Sequence, residues 1–418
     1  MLVHYNSRRK PGPVDALPDR NLDSAPSRRQ PRDQSVSKSK GRQTRSVRAG
    51  VDTDTQHGAV MPPLYLSSTF TFADYEQPRP YDYTRSGNPT RDELGQALAE
   101  LEGGAGGTVT ASGMAAIHLA CQLLNPGDLV IGPVDCYGGT FRLFRQCAER
   151  GLFRVELVDQ ADLAAVDQAL AAKPKLVWVE TPTNPLMRVI DLAAVSEHAH
   201  SAGALVAVDN TFLTPVLQRP LEHGADLVVH STTKFLNGHS DIVGGAVVAA
   251  SAELHEEMQR WANTLGVSGS PFDSYLTLRG LRTLYPRMRQ HEENALALAE
   301  LLAGHTAVTE LHYPGVAESP WYELASRQQD GFGGMLSFEL AGGEPAVRRF
   351  IERIELFSLA VSLGGVESLV CHPPSMSHAT YDDEALEAAG ISRGLLRLSV
   401  GIEATEDLVA DVEQALRD

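Results

Sequence analysis

Between about residues 98 and 250 two patterns alternate along the chain. Short apolar runs, "DLVIGP", "FRVELVD", "KLVWVE", "ALVAVDN" and "DLVVHS", are separated by stretches whose apolar residues have helical spacing. Unbroken runs of Val, Leu, Ile and Ala suit strands covered on both faces, so the pattern predicts an α/β fold on a parallel sheet. A longer helical pattern follows, "SYLTLRGLRTLYPRMRQHEENALALAELLAG". Beyond it, "GGMLSFEL" and "GLLRLSVGIE" alternate as half-buried antiparallel strands do, and "EPAVRRFIERI" and "EDLVADVEQALRD" have the spacing of amphipathic helices. A boundary is therefore predicted near residue 285, with one domain over 98–285 and a smaller α+β domain over 286–418.

Ligands of parallel sheets sit beyond the carboxyl ends of the strands. The polar residues that close the apolar runs are Asp135 and Tyr137, Glu180 and Asn184, Asp209 and Thr211, and Ser231 through Lys234. They are predicted to face one crevice. A lysine at the end of a buried strand must snorkel out, or shift its pKa and become a nucleophile. Asp209 also needs a partner. It reads either as a turn aspartate or, with Lys234, as the pyridinium partner in the Asp plus Schiff-base Lys arrangement of pyridoxal phosphate chemistry. Asp209 would keep a pyridine nitrogen protonated, while Lys234 would carry the cofactor and, once displaced, act as base. Glutamate could not form the imine and arginine would not deprotonate.

Tyr137 in "DCYGGTFR" offers a ring face beside a Gly-Gly pair that allows close approach. Ser112 and Gly113 in "TASGMAAIHLA" open a helix, which reads as an anion site or as a plain N-cap. Ser231 and Thr233 add hydroxyls, and Arg85 in "YTRSGNPT" adds a guanidinium suited to a phosphate. The chain has no GxxxxGK[ST], which counts against a nucleoside-triphosphate site. His198 and His200, two apart on a predicted helix, do not share a face, and no metal site is predicted.

Composition narrows the setting. With 418 residues and 43% hydrophobic side chains the chain can bury a large core. No apolar run is long enough to span a membrane and the N-terminus has no apolar signal region, so a cytoplasmic protein without a membrane partner is expected. Cys121, Cys136, Cys147 and Cys371 show no zinc-type or CxxC spacing and read as free thiols of a reducing compartment. The net charge of −17 is uneven: residues 1–48 hold 12 of the 36 Lys and Arg but only 4 of the 53 Asp and Glu. That basic tail, poor in aromatics, is predicted to be disordered. Nucleic-acid docking and organelle targeting are its alternative readings. Asp15, Asp19, Asp23 and Asp33 argue against a transit peptide, and no nucleic-acid partner is predicted.

In order along the chain stand "YTRSGNPTRDELGQALAELEGG", "SGMAAIHL", "DCYGGTFRLF", "VETPTNP", "VDNTF", "HSTTKFLNGHSD", "SLGGVESL" and "LLRLSVGIE". From about residue 45 onward the chain thereby resembles the Cys/Met-metabolism group of fold-type I pyridoxal phosphate enzymes. It is most similar to the bacterial cystathionine γ-synthase branch, through "PYDYTRSGNPTRD", "FDSYLTLRGLRTLYPRM" and "SLGGVESLVCHPPSMSHA". The resemblance implies a mostly parallel sheet of the seven-stranded type, a smaller α+β C-terminal domain, and pyridoxal 5′-phosphate as cofactor.

Position by position, the resemblance implies Lys234 as the Schiff-base lysine, Asp209 at the pyridine nitrogen, Tyr137 stacked on the ring and Asn184 near its phenolic oxygen. Gly113, Met114, Ser231 and Thr233 would hold the phosphate, and Thr211 belongs to the same cofactor set. Residues 49–97 would form an arm whose Tyr83 and Arg85 reach the phosphate of a neighbouring subunit in a homotetramer. Arg397 would bind the substrate α-carboxylate, with Ser362, Asp82, Arg142 and Asn184 also on the substrate side. The implied activity is γ-replacement, joining O-succinylhomoserine or another homoserine ester to L-cysteine to give cystathionine. Cystathionine γ-lyase and homoserine-ester sulfhydrylase are the alternatives. One position departs from the pattern: Val361, in "FSLAVSLGGVES", stands where γ-synthases and γ-lyases typically carry Glu, at the mouth where the second substrate docks.

Overall fold

The computed structural model describes residues 40–417, so the predicted basic tail lies outside the described residues up to position 39. Residues 40–48 of the span expected to be a tail are described, and they are structured. Arg42–Val47 is a helix. The buried Ser46 hydroxyl donates to Leu281 O, and Arg45 Nη1 donates to Glu100 O at 2.9 Å. Ala49 then enters the core. The helix is held by polar anchors, so an apolar-pattern reading passes over it.

Seven strands build the first sheet: β1 (Gly106–Thr110), β2 (Leu129–Pro133), β3 (Arg154–Val158), β4 (Leu176–Glu180), β5 (Leu205–Asp209), β6 (Leu227–His230) and β7 (Gly245–Ala249). Their order is β1-β7-β6-β5-β4-β2-β3, with β7 antiparallel to both neighbours and the β3-β2-β4-β5-β6 pairs parallel. Every residue of β2, β4, β6 and β7 is buried, which is why their sequences carry no polar alternation. The five predicted runs are β2 to β6. The pattern missed β1 and β7, whose sequences "GGTVT" and "GAVVA" are short and begin with glycine.

The second sheet has the order β10-β11-β12-β9-β8, from β8 (Val308–His312), β9 (Met335–Leu340), β10 (Ser358–Leu359), β11 (Leu369–Cys371) and β12 (Leu395–Ser399). Leu396, Leu398 and Phe338 face the helices Leu284–Ala303, Gly343–Arg353 and Thr405–Leu416, against Leu298, Phe350, Leu408 and Val412. Each such side chain contributes about 1.5–3 kcal/mol on burial.

The alternation in "GLLRLSVGIE" predicts a half-exposed strand, yet all of β12 is buried. Its second face, with Arg397 and Ser399, lies against the first sheet's loops: Arg397 bonds Asn184, and on the adjacent strand Ser337 Oγ donates to Pro185 O at 2.7 Å. Polar residues on that face are therefore site residues rather than solvent contacts.

Candidate active site

The carboxyl ends of β4, β5 and β6, the start of the helix Gly113–Ala120 and the loop before β11 enclose a cleft of about 470 Å³. Gly113, Met114, Tyr137, Arg142, Asn184, Asp209, Thr211, Ser231, Thr233, Lys234, Ser362 and Arg397 all line it. These are residues predicted from the sequence, and one chain brings them together. Asp82, Tyr83 and Arg85 are not among the lining residues. Asp82 Oδ1 accepts from Tyr83 N and from Ser86 Oγ at 2.8 Å, and Arg85 Nη1 donates to Asn263 O at 2.8 Å. All three are exposed.

Lys234 sits in the turn that follows β6, with Nζ donating to Ser362 Oγ at 2.6 Å. Burial, assisted by the nearby Arg397 guanidinium, pushes its pKa down to about 8. Ser362 can make this contact because its backbone is in the left-handed region, at φ 89°. A residue with a Cβ adopts that conformation at a cost, and such strain concentrates at functional sites. The same residue's carbonyl accepts from Arg397 Nη2 at 3.0 Å.

Arg397 is 3% exposed. Nη1 donates to Asn184 Oδ1 at 2.8 Å, while the buried Nε–H has no protein partner among the described residues. A buried unpaired donor on a guanidinium is suited to a carboxylate ligand.

Asp209 ends β5 directly opposite Glu180 of β4. Burial raises both carboxyls, and Asp209 further raises Glu180, to about 8. Two adjacent carboxyls shielded from water cannot both ionise cheaply. Burial and the neighbouring Asp209 carboxyl therefore favour the protonated form of Glu180. Asp209 Oδ1 accepts from Thr211 N at 3.0 Å and from the Thr211 hydroxyl. Thr211 Oγ1 in turn accepts from Ser231 N at 2.9 Å, tying the ends of β5 and β6 together.

Sequence reasoning placed Glu180 in the crevice without a task. Its Oε2 accepts from Tyr137 N at 2.7 Å, so it fixes the residue that opens the helix Gly138–Glu149. Tyr137 is 41% exposed, with its ring free at the cleft.

At the cleft floor Ser112 caps the helix Gly113–Ala120, its Oγ accepting from Ala115 N at 3.1 Å. The first-turn N–H groups have no intrahelical acceptor. A Cβ on Gly113 would stand 2.8 Å from Ser231 Cβ, so glycine is what lets the helix start meet the Ser231 turn. Thr233 is less available: its hydroxyl donates to Gly244 O at 3.2 Å and accepts from Gly244 N at 3.0 Å. Val361 stands 59% exposed at the rim. Met376 and Ser377 also line the cleft and were not singled out from the sequence; their signal is the Pro-Pro pair in "CHPPSMSHA", which marks an irregular segment between β11 and the next helix.

Among the described residues no helix is long and apolar enough to cross a membrane. The family model of Cys/Met metabolism PLP-dependent enzymes matches residues 43–417. The cystathionine gamma-synthase of Escherichia coli (strain K12) is 54% identical over 375 residues, spanning 90% of this chain and 97% of its own. The cystathionine beta-lyase of Lactococcus lactis subsp. cremoris is 46% identical, over 89% of this chain and 98% of its own. The crystal structure of cystathionine gamma synthase from Xanthomonas oryzae pv. oryzae in complex with cystathionine superposes with a TM-score of 0.89 at 59% identity, over 90% of this chain and 97% of that one. With a family match over nearly all of the described residues and relatives alike along almost their whole length, the chain belongs to the Cys/Met metabolism PLP-dependent enzyme family.

Proposed function

We propose that the chain is a cystathionine γ-synthase, joining a homoserine ester, O-succinylhomoserine first among them, to L-cysteine. The observation that carries this reading is one cleft where Lys234 with its lowered pKa, the strand-end carboxyl of Asp209 and a buried Arg397 with a free donor converge. Similarity to proteins named cystathionine gamma-synthase supplies the reaction.

The donor set fits pyridoxal 5′-phosphate. Asp209 is a half-buried carboxyl at a strand end, suited to a pyridinium N–H, and Gly113, Met114 and Ser231 frame an anion cradle at a helix start. Thr233 and Thr211 would complete the cofactor set, Asn184 would lie near the ring oxygen and Tyr137 would supply the stacking face. The bound cofactor supplies an electron sink for carbanion chemistry at the substrate.

The chain's own residues do the rest. Asp209 would hold the proton at the ring nitrogen, and Glu180, whose carboxyl burial pushes up, would compete little for the charge to do so. Lys234 Nζ takes the substrate Cα proton, for which a pKa of about 8 leaves a useful neutral fraction. Arg397 orients the α-carboxylate, and Ser362 holds Nζ and the guanidinium in register. Arg142 receives the distal carboxylate of a succinyl group, and Asp82 meets the substrate from the arm. Tyr83 and Arg85 serve a neighbouring subunit's phosphate, within a homotetramer. The four described cysteines are free and buried, in keeping with a reducing compartment, and the cytoplasm is the proposed location. Val361, exposed at the rim, favours a homoserine-ester sulfhydrylase as second reading, because it offers no carboxylate to the ammonium of cysteine.

The test is Lys234→Ala. The purified variant should keep its far-ultraviolet dichroism while losing turnover and the visible absorbance of the lysine-bound cofactor. Turnover near the wild-type rate would overturn the reading.

A further inference from the structure

His378 is completely buried, yet it does not line the cleft. Its Nε2 lies 3.0 Å from Asn184 O, and its Nδ1 lies 3.0 Å from Ser377 Oγ. A carbonyl can only accept, so Nε2 carries the hydrogen and Nδ1 accepts from the serine hydroxyl. Burial and the neighbouring Arg397 push the imidazole down to about 4, so this neutral tautomer persists across the working range.

The segment that carries His378 is clamped to the first sheet's side of the cleft. Tyr381 OH donates to Cys136 O at 3.1 Å, and its ring centroid lies 4.2 Å from that of Phe141. A Cβ on Gly138 would stand 2.5 Å from Ser377 O, a backbone atom that cannot swing aside. His378 is thus a fixed point between Tyr137's helix and Asn184. Asn184 itself has two anchors, its carbonyl on His378 and its Oδ1 on Arg397 Nη1.

We propose that His378 is the positioning residue of the substrate-carboxylate subsite: through its Nε2–H it holds Asn184, and Asn184 holds the Arg397 guanidinium, with its unpartnered Nε–H, in place at the cleft. The proposal rests on the reading of Arg397 as the carboxylate receptor. Without the Nε2–H, Asn184 O loses a buried donor, the loop shifts to find another, and the guanidinium follows its Oδ1. A misplacement of about 1 Å in a positioning contact can cost about 10²-fold.

The test compares L-norleucine, which has no leaving group, with its α-amide as ligands of the cofactor-loaded protein, measured by calorimetry. Wild type should prefer the acid. His378→Phe, which keeps the packing but has no donor, should lose that preference by about tenfold or more, with KM for the homoserine ester rising in step and kcat little changed. His378→Gln, whose amide nitrogen reaches the Nε2 position, should restore the preference. Where Phe does not fold, His378→Asn, whose amide reaches only the Nδ1 position, should behave as Phe is expected to. A wild-type protein with no preference for the acid would overturn the Arg397 reading and this proposal with it. A wild-type preference that survives in the Phe or Asn variant, or a Gln variant as impaired as Phe, would overturn the role of His378 alone.

Discussion

Methionine at position 234 should make the cofactor-free protein more stable, although it destroys the enzyme. Lys234 has its pKa moved from 10.5 to about 8 by burial. At about 1.4 kcal/mol per pH unit, its positive charge costs the folded chain about 3 kcal/mol. Below pH 8 the amine is protonated in both the folded and unfolded states, and the whole cost is present. As pH rises from 8 to 10.5 the folded amine is neutral while the unfolded one still binds a proton, so wild-type stability climbs. Above 10.5 the cost is gone. Against this stands the hydrogen bond to Ser362, worth about 1 kcal/mol. The charge term wins near pH 7, where Lys234→Met should gain about 2 kcal/mol, and the gain should shrink towards zero near pH 10. Urea unfolding of both cofactor-free proteins at several pH values reads the difference directly. A variant less stable than wild type at pH 7, or a gap that does not change with pH, would refute the burial of an unpaired charge at this site.

A chain beginning at Gly41 should match the full-length protein in activity and melting temperature, whereas one beginning at Ala49 should lose about 2 kcal/mol with the Ser46 and Arg45 anchors; equal stability of the two, by urea unfolding, would deny the short helix a role. Ser362→Gly and Ser362→Ala both remove the hydroxyl, but the glycine variant should be the more stable by about 1–2 kcal/mol because φ is 89° there; the reverse order in thermal unfolding would contradict the strained backbone. Co-refolding inactive Arg85→Ala with inactive Lys234→Ala subunits should recover part of the activity if the arm serves a neighbour. Hybrids that assemble and stay inactive would confine the site to one chain.

The chemistry was most legible where the fold is most regular. Parallel strands covered on both faces must be apolar throughout, so the residues that end them, Asp209 after "ALVAV" and the Ser231–Lys234 turn after "LVVH", stand out as polar interruptions. Arg397 was legible only by resemblance. Periodicity reads "LLRLS" as a half-solvated strand, and only the packing of its second face on the Asn184–Pro185 loop makes the arginine a buried one. Glu180 and His378 act through backbone groups of Tyr137 and Asn184, contacts between positions 43 and 194 residues apart; the strand end marks the place of Glu180 but not its task, and no local pattern marks His378. The helix Arg42–Val47 was hidden in the same way, since its two anchors reach Glu100 and Leu281.

The most direct test of the central claim is the competition between making and breaking cystathionine. The ratio to measure is kcat/KM for synthesis from O-succinylhomoserine and cysteine against kcat/KM for cleavage of cystathionine, on one preparation at one pH. The geometry of Arg142, Arg397 and Lys234 in one cleft predicts that synthesis is the more efficient. Val361 predicts measurable use of sulfide alongside cysteine. Cleavage more efficient by about tenfold, or about 1.4 kcal/mol in transition-state binding, would contradict the synthase and put a lyase in its place.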